Sequence, residues 1–70
     1  MRRGRVSITV RPAEEGGWVV LVGQDSRDRF DRKRDATLCG RQLLQRQGGG
    51  ELVIHSLSGR VIDRDTVAPA

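Results

Sequence analysis

Seventy residues allow one domain, residues 1–70, with a core so small that every apolar side chain counts. Hydrophobic residues make up 36% of the chain, and Val, Leu, Ile and Phe together exceed the roughly 20% below which disorder is the better description. The formal charge of +4 comes from twelve Arg and one Lys interleaved with nine carboxylates. That mixture excludes a purely basic tail and reads first as a solvated surface.

From Arg5 to Arg11 the chain alternates, with Val6, Ile8 and Val10 on one side and Arg5, Ser7, Thr9 and Arg11 on the other, as a half-buried strand does. Pro12 and the turn Glu14-Glu15-Gly16-Gly17 end it, and "WVVLVG" resumes as the second half of a hairpin. Asp25-Ser26 turns the chain again, and Arg27 to Phe30 offers a short third strand.

A helical pattern then runs from Arg32 to Gln47, with Ala36, Gly40, Leu43 and Gln47 along one stripe, Cys39 and Leu44 at its edges, and Leu38 on the opposite face. Gly48 is placed to close the helix, since glycine accepts the left-handed conformation that does so. "ELVIHS" and "RVIDRD" follow as two strands around a turn at Ser58-Gly59, and residues 1–4 and 68–70 are expected to be flexible ends. The expected fold is α+β: an antiparallel sheet of four to five strands with one helix packed on it, in the order β-β-(β)-α-β-β.

One short helix covers one face of a sheet. The second strand offers Trp18, Val20 and Val22 to one side and Val19 and Leu21 to the other, while Leu52, Val53 and Ile54 are apolar on both sides. A sheet apolar on both faces needs a second cover, which predicts a homodimer using Val19, Leu21 and Val53.

The order and spacing of these residues resemble the bacterial family classed as domain of unknown function 2188. The resemblance runs from Gly16 to Val67. It rests on Gly16-Gly17-Trp18, Ala36, Gln47-Gly48, the strand Glu51-Leu52-Val53-Ile54-His55, and the closing Gly59-Arg60-Val61 with Arg64-Asp65. It supports the element order and implies no established activity. Members usually enter the helix through Thr-Lys-x-Glu, a capping box. Here Arg32-Lys33-Arg34-Asp35 stands in that place, which moves the expected cap to Asp31, and an extra glycine among Gly48 to Gly50 lengthens the next turn.

The charged segment "DRFDRKRD", Asp28 to Asp35, is therefore read as the helix entrance, with Phe30 packing ahead of the cap. The alternative is an anion or phosphate site built from its bases and the free N–H groups of a helix start. A wider nucleic-acid reading joins the arm residues Arg2, Arg3 and Arg5 to Arg11 and to the Arg32, Lys33 and Arg34 cluster. It lacks stacking platforms, because Trp18 and Phe30 are both needed for the core.

No catalytic, cofactor or metal residues are assigned. Cys39 and His55 are expected on a core-flanking helix position and a strand end. Asp63 and Asp65 sit beside Arg60 and Arg64 as charge partners. No zinc or calcium spacing occurs, and Gly48-Gly49-Gly50 lacks the Lys and Ser/Thr of a phosphate loop.

A lone cysteine excludes an internal disulfide. The longest apolar run, Trp18 to Val22, is far short of a membrane helix, and no long hydrophobic stretch follows "MRRGR". The expectation is a cytoplasmic, non-catalytic association module without membrane contact, with nucleic-acid binding as the alternative.

Overall fold

The computed structural model describes residues 6–23 and 25–69. Five strands and one helix follow in the order β1 (Ser7–Pro12), β2 (Trp18–Val22), β3 (Asp25–Phe30), α1 (Lys33–Arg46), β4 (Gly50–His55) and β5 (Val61–Val67). The alternation in β1 holds as read: Ile8 and Val10 are buried, and Ser7 and Arg11 are exposed. Pro12 lies at the end of this strand and does not cut it short.

The turn into β2 is closed by the Ala13 N–H donating to the Gly17 carbonyl at 3.0 Å. Gly17 has a φ of +78°, and a Cβ there would come within 2.6 Å of the Phe30 carbonyl oxygen. Only glycine therefore lets the end of β3 lie against this turn. The short third strand is a full edge strand of six residues, "DSRDRF", with a bulge opposite Val20 and Leu21. Its polar composition gave little β signal, since its register comes from backbone pairing with β2 and from Phe30 packing on the core.

The sheet order is β3-β2-β1-β4-β5. It is an α+β fold, but the sheet is mixed where a wholly antiparallel one was expected, because β1 and β4 pair in parallel, with Ile8 opposite Leu52 and Val10 opposite Ile54. The cause is topological. Two hairpin turns leave β3 running in the same sense as β1, and α1 returns the chain along the sheet, so β4 sets out in that sense again.

The helix lies on β1, β2 and β4 and touches β5 least. Its buried residues are Ala36, Gly40 and Leu44. The predicted stripe is thus right at Ala36 and Gly40 but passes through Leu44, with Leu43 and Cys39 packed at its side. Gln47 lies beyond the last helical turn and is exposed. The core beneath is Ile8, Val10, Val20, Leu52, Ile54 and Val67, edged by Trp18, Val22 and Phe30.

Both helix ends differ in chemistry. The N-cap is Arg32, in extended conformation and with no side-chain cap hydrogen bond, so the predicted cap Asp31 falls one residue too early. The first helical bond runs from the Ala36 N–H to the Arg32 carbonyl. At the other end the Gly49 N–H donates to the Leu44 carbonyl at 2.7 Å, and Gly48 with a φ of +102° makes the left-handed turn.

Candidate functional site

Two surfaces carry the residues singled out in the sequence. The first is the sheet face away from α1. Alternation and register gather Thr9, Arg11, Val19, Leu21, Glu51, Val53 and Arg64 there, with Val53 flanked across the strands by Thr9 and Arg64. Val53 is only 8% exposed although no helix covers it, and it lies outside the main core cluster. Val19 and Leu21 are half-buried. The three proposed self-association residues therefore share one face but not adjacent strands: Val19 and Leu21 are on β2 and Val53 is on β4, with Thr9 of β1 between Leu21 and Val53.

Charges around these residues are largely paired. Arg29 of β3 meets Glu15 at 3.2 Å and donates to the Gly16 carbonyl at 2.8 Å, and Arg64 meets Glu51 at 3.6 Å. Arg11 borders the apolar centre beside Thr9, Leu21 and His55. His55 Nδ1 lies 3.0 Å from the Gly59 carbonyl oxygen, which ties the strand end to its own hairpin. Neither Trp18 nor Phe30 is on this face, for both pack on the helix side.

The second surface is an open groove between the start of α1 and the β4–β5 hairpin. Helical spacing lines up Arg34, Leu38 and Arg41 along the β5 side of α1, with nearly buried Ile54 beneath and Asp63 on the far wall. Arg41 is held by Asp65 at 2.7 Å. Leu38 is 55% exposed, in agreement with its predicted place off the core stripe. Lys33 reaches back over the Trp18 ring, its Nζ 6.0 Å from the centroid.

Among the described residues, no carboxylate lies within ion-pair distance of Arg32, Lys33 or Arg34. These three are at the same end of the sheet as Arg11 but on the opposite side of it. Arg2, Arg3 and Arg5 lie outside the described residues. The basic side chains that were grouped as one nucleic-acid surface are thus divided, among the described residues, between two faces.

Cys39 points the other way along the helix, toward β3, with its Sγ 3.8 Å from an Asp28 carboxylate oxygen. His55 is on the far face of the sheet, so the two are not brought together. Among the described residues no three metal-ligating side chains converge, and no helix is long and apolar enough to cross a membrane. The groove was the feature that sequence reading missed. Leu38 was its available signal, a large apolar residue left outside the core and 55% exposed.

A family model described as "Uncharacterized protein conserved in bacteria (DUF2188)" matches residues 8–67. No curated protein and no solved structure is significantly similar to the chain.

Proposed function

Since the chain belongs to the bacterial DUF2188 family, whose description carries no activity, we propose its role from its surfaces: a non-catalytic association domain that pairs with a second copy through the open sheet face. The supporting observation is the make-up of that face. Val19, Leu21 and Val53 form its apolar centre, and the Arg29–Glu15 and Arg64–Glu51 pairs neutralise most of the surrounding charge. Two such faces meet without strong like-charge repulsion. A nucleic-acid surface would instead present unpaired cations, and Arg11 is the one cation here without a carboxylate partner among the described residues.

The available area bounds the size of the interface. Five strands spaced by about 4.8 Å, each about six residues at roughly 3.3 Å, cover some 480 Å². Two faces together then remove about 1,000 Å² from water, at the lower edge of a specific interface. The expected dimer is reversible, with a Kd in the micromolar range, about −8 kcal/mol.

Sedimentation or light scattering across a concentration series tests this. The chain should pass from monomer to dimer, and Leu21→Asp should hold it monomeric while it stays folded. A clean monomer at about 1 mM would end the reading. Fluorescence anisotropy of a labelled DNA duplex at about 50 mM salt tests the nucleic-acid alternative, for which salt-sensitive binding is required.

A further inference from the structure

We infer that the groove between α1 and β5 is a docking site for an acidic peptide segment bearing one aliphatic side chain, a partner distinct from the second copy proposed for the open face. Three observations point to that chemistry. The first is charge: Arg34 and Arg41 line the helix side, with Arg32 and Lys33 at the helix start, against Asp35 and Asp63. Arg41 already has Asp65, so the uncompensated cations are gathered at the mouth where α1 begins.

The second is the uncapped helix start. Arg32 brings no side-chain oxygen to the first turn, and helical bonding begins only at the Ala36 N–H, so the N–H groups of Lys33, Arg34 and Asp35 have no intrahelical acceptor. A peptide carboxylate placed there meets both backbone donors and side-chain cations, and it lies at the favourable end of the helix dipole.

The third separates a peptide from a nucleic acid. Leu38 stands in the middle of the cationic stripe, more than half exposed, over Ile54. An aliphatic side chain between them buries apolar surface that a phosphate backbone leaves wet.

The probe is a fluorescein-labelled peptide of Asp and Glu with one central leucine, titrated with the full chain and followed by anisotropy at about 50 mM salt. Saturable binding is expected, weakened at least about tenfold when serine replaces the peptide's leucine. Leu38→Ser and Arg34→Glu should weaken it comparably. Both positions are exposed, and far-ultraviolet circular dichroism checks that both variants remain folded.

Leu21→Asp, which addresses the open face, should leave peptide binding unchanged, so the two sites fail or stand separately. The inference is overturned if no anisotropy change occurs up to about 1 mM protein. It is also overturned if the serine peptide binds as well as the leucine peptide. Tighter binding of a labelled single-stranded oligonucleotide, lost in the same two variants, would assign the groove to nucleic acid instead.

Discussion

Gly40 is buried where α1 packs on the sheet, and adding one methyl group there tests the packing directly. At an exposed helical position Gly→Ala stabilises by about 1 kcal/mol, because alanine loses less backbone freedom. Here the new Cβ would lie 2.9 Å from Leu52 Cδ1, 3.3 Å from Ile8 Cγ2 and 3.6 Å from Val10 Cγ2. All three neighbours are fully buried, so Leu52 has no open rotamer to retreat into and the helix must lift. Overpacking of this kind costs about 2 kcal/mol, which exceeds the propensity gain and leaves a net loss near 1 kcal/mol. For a domain of this size that lowers Tm by about 4–8 °C. Thermal unfolding by circular dichroism, at a protein concentration low enough to keep the chain monomeric, reads the difference. Gln42→Ala, an exposed site in the same helix, serves as the control and should change little. A Gly40→Ala protein as stable as the parent or more so would mean that the helix does not sit this close to Leu52.

Replacing the oxygen-free cap by Arg32→Asp should stabilise the chain by about 1 kcal/mol, since it adds an acceptor for the first-turn N–H groups and removes a cation from the positive end of the helix; a lower Tm would contradict the capping geometry. Gly17→Ala should cost more than about 2 kcal/mol, combining a left-handed φ with a clash against the Phe30 carbonyl, while Gly16→Ala, with no atom within 4 Å, should show the backbone strain alone. Equal losses in urea titrations would show that the Phe30 contact does not matter. The Arg41–Asp65 pair is partly exposed, so a double-mutant cycle with alanine should give a coupling below about 1 kcal/mol that shrinks in about 1 M salt.

Much of the fold could be read from periodicity alone. The two-residue alternation of β1 and β2 and the 3.6-residue stripe through Ala36 and Gly40 assign buried and exposed sides correctly, because local geometry fixes where a side chain points. Partner choice is another matter. That β4 pairs with β1 in parallel depends on where a helix sets the chain down after a crossing, and no short window of residues records that. The cap failed for a related reason: Asp31 has the right chemistry, but the chain stays extended through Arg32 before it turns. On the open face, patterning placed Val19, Leu21 and Val53 together, yet it did not show that Val53 would be shielded by its cross-strand neighbours. The groove was hidden because it arises from the helix lying off-centre, away from β5, a property of the assembled layer and of no single segment.

The edge strand β5, one of the two open edges of the sheet, has a bearing on aggregation. The symmetric antiparallel matches between two β5 edges that overlap most, with their helices on the same side, are centred on Asp63, Arg64 or Asp65. The first and last set an aspartate against its own copy. The middle one sets Arg64 against Arg64 and Asp63 against Asp65. Each of these three alignments opposes like charges, which disfavours pairing of sheets through their β5 edges. Crowded copies of this chain are consequently discouraged from joining edge to edge through β5.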